Sequence, residues 1–190
     1  MSQPYEILIG PIEVYAAPYG TAFPVVNVAV PAPWVKFGSS DTTDAGVTIE
    51  HTQTVKEWTG LGSTGPRKVA RDKEGLKISF ELTDLTLEKY LFALNFGVIT
   101  PLAGPPATKQ VGLYQGNTVN TFSLLIRGMS PYSDSWASQY QIPLVYQSGN
   151  PKPVFKKADP AGLAMAFTAI EDPNAASVSM RFGILIAQYA

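Results

Sequence analysis

The chain has no cysteine and a single histidine, His51, among its 190 residues. The missing thiols exclude disulfides, thiolate zinc sites and cysteine nucleophiles together. One imidazole cannot supply a His-rich metal site or a two-histidine relay from a single copy. Charge is scarce as well: Asp, Glu, Lys and Arg make up 15% of the chain, against an average near 25%. Fourteen basic groups against fifteen acidic ones leave a net charge of −1, so no global field draws the molecule to nucleic acid or a membrane. Unbroken apolar runs are also missing. The two long uncharged stretches, Val14–Val35 and Tyr90–Thr108, are interrupted by Pro18, Gly20, Pro24, Pro31 and Pro33, and by Gly97, Pro101, Gly104, Pro105 and Pro106. Neither can satisfy its backbone as a spanning helix. Met1-Ser2-Gln3-Pro4 has neither a basic leader nor an apolar core, so no signal peptide is expected.

What is present is apolar and alternating. Apolar residues reach 45%, and the length predicts one domain over residues 1–190, large enough to bury about 70% of its unfolded surface. Leu76-Lys77-Ile78-Ser79-Phe80-Glu81-Leu82 alternates strictly, as a half-buried strand does. Val47–Lys56 alternates with Thr on its polar side. Further strands are expected at Tyr5–Ile9, Ile12–Tyr15, Trp34–Phe37, Thr121–Arg127, Gln139–Tyr146, Leu163–Ile170 and Met180–Gln188. Pro143 should force an edge or a bulge on its strand. The last two runs are apolar on both faces and predict central strands. Leu87, Tyr90, Leu91 and Leu94 recur at helical spacing behind Asp84 or Thr86 and ahead of Gly97, so one short helix should dock its stripe on a sheet. The expected fold is mainly β (α+β): a β-sandwich or barrel with one flanking α-helix, an extended N-terminal arm over residues 1–33 and a long β-hairpin loop at 58–70.

That loop, Trp58–Ala70, spans about 13 residues where hairpin loops usually have two to five. It holds the one basic concentration, Arg67, Lys68, Arg71 and Lys73, beside Trp58. Residues 1–65 carry two basic and six acidic groups and residues 66–190 twelve and nine, an asymmetry that suits contact between copies of one molecule. Catalytic signatures are absent. His51 has no Ser or Cys elbow beside it. Gly60-Leu61-Gly62-Ser63-Thr64-Gly65 lacks the spacing of a phosphate cradle. The neighbouring acids Asp41/Asp44, Asp72/Glu74 and Glu171/Asp172 are expected in polar turns, and Asp41/Asp44 with Glu50 do not meet the spacing of a calcium loop. No catalytic residue, metal ligand or cofactor is assigned, and the chain is not expected to be an enzyme. Trp34, Trp58 and Trp136 would be the stacking platforms if this were instead a glycan- or receptor-binding β-sandwich.

The order of elements over Trp34–Asn95 is an alternating strand, a long Gly-rich and basic hairpin loop, a second alternating strand, then Thr83-Asp84-Leu85-Thr86 and a Leu-rich helix. It resembles the tail tube (major tail) proteins of bacteriophages with long non-contractile tails. The resemblance implies a virion structural protein, assembled in the host cytoplasm, that forms hexameric rings stacked into a hollow tail tube. Its implied partners are other copies of itself, a tape measure protein, and terminator and distal tail proteins, with no membrane insertion. Double-stranded DNA would pass through the lumen without sequence-specific binding. Trp58, Arg67, Lys68, Arg71 and Lys73 would then meet a neighbouring ring. Thr48, Glu50, Thr52, Lys77, Ser79 and Glu81 form a hydrophilic, mildly acidic face suited to a lumen, because phosphates find few cations there. A tube subunit of a secretion or contractile injection apparatus is the related alternative. The Pro/Gly arm and the loop are expected to be costly to order in a lone copy, at about 1–2 kcal/mol per residue.

Overall fold

A computed structural model describes residues 12–37, 42–83, 85–95, 97–155, 157 and 161–189, with the backbone alone for 42–45. The expected strand at Tyr5–Ile9 and the candidate cap Asp84 lie outside these residues. Ten strands and one helix follow in order: β1 (Glu13–Pro18), β2 (Val35–Phe37), β3 (Thr42–Trp58), β4 (Lys68–Leu82), α1 (Leu87–Ala93), β5 (Ile99–Leu102), β6 (Thr108–Val111), β7 (Thr121–Ser130), β8 (Ser133–Gln147), β9 (Leu163–Ala169) and β10 (Ile184–Ala187). The fold is mainly β with one helix, as the alternation predicts.

Eight strands make one antiparallel sheet in the order β2-β1-β7-β8-β9-β4-β3, with β10 added to β8, while β5 and β6 pair separately. The sheet curls. Phe37, on the edge strand β2, lies 5.5 Å from Phe80 of β4 and 5.9 Å from Phe167 of β9, ring to ring. The core inside this curl joins Val14, Ile78, Phe80, Leu82, Leu124, Ile142, Leu163 and Phe167. α1 closes one end, with Phe92 4.5 Å from Phe37.

Several local expectations meet a physical correction. β9 is not buried on both faces: Ala164, Ala166 and Thr168 point away from the core, and β10 is only half-buried. The doubly covered strand is β7, where Phe122 to Ile126 are all buried, because the segment after β1 folds over its outer face. Pro143 takes the second of its two expected places, a bulge, on a strand that is not an edge. Pro143 and Leu144 together oppose the single residue Ser123, a bulge that lies between the stretch paired with β10 and the stretch paired with β9. The missing N–H is therefore not needed there, and the Ser123 hydroxyl donates to the Pro143 carbonyl at 2.7 Å. The hairpin loop is also shorter than expected, residues 59–67, because β3 and β4 continue pairing to Trp58 and Lys68.

The helix ends at Ala93, before Gly97 can stop it. Asn95 does so instead, in the left-handed region at φ 60°. Asparagine tolerates that conformation better than other non-glycine residues. Its side-chain N–H groups donate to the carbonyls of Gln115 and Thr118 at 2.7 and 2.6 Å, and its side-chain oxygen accepts from the Asn120 backbone N–H at 2.7 Å. One residue thus both turns the chain and pins the loop leading into β7. Asn95→Gly is expected to lose only the hydrogen bonds, whereas Asn95→Ala also forces an unfavourable φ. Urea titration should place Ala about 1–2 kcal/mol below Gly.

Candidate functional site

β3 and β4 stay together as a two-stranded arm beyond the last residue that β9 pairs. β4 is paired with β9 only from Lys77 to Leu82. From Glu50 to Thr59 and from Pro66 to Glu74 every residue is exposed. At about 3.3 Å per residue the stretch from Glu50 to Trp58 runs roughly 25 Å. Arg67 donates its backbone N–H to the Trp58 carbonyl at 2.8 Å and closes the loop. Leu61 at the tip is fully exposed, Trp58 is 59% exposed, and Val55 and Val69 are also open to solvent. These are large apolar groups that their own chain leaves largely open to solvent.

The basic residues do not act as one cluster. Thr54 pairs with Lys73 and Val55 with Arg71, so Asp72 bulges out. The bulge reverses parity: Lys73 and Lys68 share the side of Thr54 and Trp58, while Arg71 lies on the side of Val55. Two local ion pairs reduce the free charge further, Arg71 to Glu74 at 2.8 Å and Lys56 to Asp72 at 3.1 Å. Exposed pairs of this kind contribute about 0–1 kcal/mol, but they do occupy Arg71.

Thr48, Glu50, Thr52, Lys77, Ser79 and Glu81 are brought to one face. Thr48 lies opposite Ser79, Glu50 opposite Lys77 and Thr52 opposite Gly75. The opposite face carries Val47, Ile49, Leu76, Ile78 and Phe80 into the core. β9 extends the polar face with Ala164, Ala166 and Thr168, which register with Glu81, Ser79 and Lys77. Glu81 lies across Gly162, where any Cβ would strike its carboxylate. Of the helix stripe, Leu94 is buried and Leu87, Tyr90 and Leu91 are half-buried. Tyr90 of the stripe packs against the core, and Phe92 and Ala93, off the stripe, join it there.

The Pro/Gly segment after β1, expected to be costly to order in a lone copy, is tied down by side chains of its own chain. Trp34, 7% exposed, donates its ring N–H to Ala22 at 3.1 Å and packs beside Phe23. Arg127 donates to the carbonyls of Val28 and Val25, and the fully buried Gln139 donates to Pro24 at 2.7 Å. Arg127 and Gln139 also bond each other at 2.8 Å. The sheet itself offers these donors, which no spacing rule reveals. With Trp34 buried, Trp136 half-buried and Trp58 out on the arm, the tryptophans form no common stacking surface.

Perturbed titrations lie away from the arm. The Lys36 ammonium at 2.7 Å, helped by the Tyr15 hydroxyl, holds Glu13 below the usual carboxylate range. Burial, then Glu13, pushes Tyr15 up to about 12. The first contact joins β2 to β1 and the second lies within β1, a structural use of charge. Among the described residues no three His, Asp or Glu side chains gather as metal ligands.

No family model matches the sequence, and no curated protein matches it. Among solved structures the chain is similar to one chain in the six-fold symmetrised cryo-EM structure of the anti-feeding prophage (AFP) baseplate. The TM-score is 0.53 at 7% identity, over 90% of this chain and 95% of that one. At this identity the likeness is one of fold: the arrangement of these strands recurs in a component of a prophage baseplate.

Proposed function

We propose that this chain is a structural subunit of a phage-tail-like particle, assembling with copies of itself into rings that stack as a tube. The exposed β3–β4 arm carries the reading. A paired hairpin some 25 Å long that ends in Trp58, Leu61 and Val69 has no use for those apolar groups in a lone copy, and a neighbour that covers them would gain about 25 cal/mol per Å². Exposed strand edges on β2 and β3 favour the same outcome, since a ring of copies can pair them. The fold likeness to a baseplate chain supports the wider class and favours, as a second reading, a subunit of a contractile injection apparatus over one of a long non-contractile tail.

In the tube, the Thr48–Glu81 face is our candidate for the lumen, with Glu50 facing Lys77 and alanines beside them, so DNA passes a surface that holds few counterion-releasing cations. Arg67, Lys68 and Lys73 are the cations of the arm left to meet acidic groups on a neighbour. Electron microscopy of the purified chain over a concentration series is expected to show rings or tubes. Monomers at every concentration would overturn the proposal. Replacing Arg67, Lys68 and Arg71 together by Glu should leave the fold intact and block elongation. Tubes of normal length from that variant in moderate salt would remove the electrostatic role.

A further inference from the structure

The barrel has two dissimilar poles. At the Thr121 end of β7 lie Asn95, Asn120 and α1, which follows directly on β4 and packs against β5 and β6. At the Ser130 end lie the β7–β8 turn, the close of β10 and the arm. Each pole carries an uncharged feature that its own chain leaves open.

At the first pole, β5 and β6 form a small ladder of their own from Ile99 to Val111. Its tip, Pro101-Leu102-Ala103-Gly104-Pro105-Pro106, is exposed throughout and has no charge. At the other pole a cleft of about 540 Å³ is lined by Pro131, Tyr132, Tyr140, Leu185, Ala187 and Tyr189. The register explains the cleft: Leu185 lies opposite Tyr140 and Ala187 opposite Ser138, so these side chains share one face. Ser138 donates its hydroxyl to Met129 at 2.7 Å, away from any occupant of the cleft. Tyr132 and Tyr189 are 56% and 76% exposed at its rim.

We infer that the proline-rich tip of one copy seats in the tyrosine cleft of the next, a head-to-tail contact along the stacking direction. This rests on the assembly reading above and names the surfaces that it would use. Prolines dock well in aromatic-lined grooves because little chain entropy is lost, and the ladder beneath this tip already holds its ends together. An uncharged tip entering an uncharged cleft desolvates no ion. The arm is a poorer occupant: it carries Arg67 and Lys68, and it leaves the body at the same pole as the cleft, so head-to-tail copies do not bring the two together. Donor and acceptor at opposite poles make a heterologous contact, which propagates instead of closing on a pair.

The absence of cysteine makes a background-free test available. Copies carrying Ala103→Cys on the tip are mixed with copies carrying Ala187→Cys in the cleft and treated with a short bismaleimide. The mixture is expected to give covalent dimers at least about tenfold above either variant alone, and Tyr132→Glu with Tyr189→Glu on the cleft copy should return the yield to background. Leu102→Glu with Pro105→Glu on the tip copy should do the same from the other side, with circular dichroism of each variant unchanged. A mixture no better than its controls overturns the inference. If wild-type rings or tubes still form, the assembly reading survives that result; if cross-linked pairs form but wild-type particles never do, the contact stands and the assembly reading falls.

Discussion

A chain in which residues 53–74 are replaced by Asn-Gly between Thr52 and Gly75 is expected to remain a folded monomer and to lose assembly altogether. Thr52 and Gly75 are partners in the β3–β4 register, so a two-residue turn of the type that Asn-Gly favours can join them without shifting the ladder below. The excised residues hold none of the core, which on these strands begins at Leu76, Ile78 and Ile49. What is lost is a set of solvent-exposed ladder bonds, and what is gained is a shorter loop to close. The melting transition should therefore move by about 1 kcal/mol or less. Assembly is another matter. Trp58, Leu61, Val69, Arg67 and Lys68 leave together, and with them the only long element that the body does not cover among the described residues. Light scattering and negative-stain images across the concentration range of the intact chain give the readout. Rings or tubes from the truncated chain would mean that the arm is not the assembling element.

Much of this architecture was legible because period-two alternation reports burial directly. Leu76 to Leu82 alternates in sequence and alternates in the structure, core on one side and the Lys77, Ser79, Glu81 face on the other. The polar face is therefore readable in the sequence itself. Its extension by Ala164, Ala166 and Thr168 was not, because alanine counts as apolar in a pattern yet sits comfortably on an outer face, and β9 read as doubly buried. The β5–β6 hairpin was missed for a related reason. Pro101 and Gly104 read as loop, but in a two-stranded ladder both strands are edges, and Pro101 opposite Lys109 does not interrupt a central strand. The bulge at Asp72 was beyond pattern reading too: one extra residue reverses the faces of everything past it, so Lys73 shares a face with Lys68 and not with Arg71. Asn95 did leave a signal, an asparagine just past the last helical leucine, which the glycine two residues on overshadowed. Arg127 and Gln139 left none. Their role depends on two strands presenting donors to a segment about 100 residues away in sequence.

The largest loss of stability is expected at Phe167. Its side chain is 0% exposed, and its ring meets Phe122 edge-on at 5.3 Å, Phe80 at 5.7 Å and Phe37 at 5.9 Å. Those contacts come from β7, β4 and β2, strands spread across the whole sheet order, so this one ring helps to hold the curl together. Phe167 is also paired on both sides, with Ile78 and with Gln147, and the backbone there has little freedom to move into a void. Phe167→Ala is expected to cost about 3–5 kcal/mol, a large share of the roughly 5–15 kcal/mol that holds a domain folded. Urea denaturation should show a lower midpoint with an unchanged slope. Phe92→Ala provides the contrast. Phe92 is half-buried and meets Phe37 across the end of the barrel, where α1 can settle inward, so its loss should cost less than half as much. Equal costs at the two positions would mean that the end cap, and not the closure of the sheet upon itself, holds this fold together.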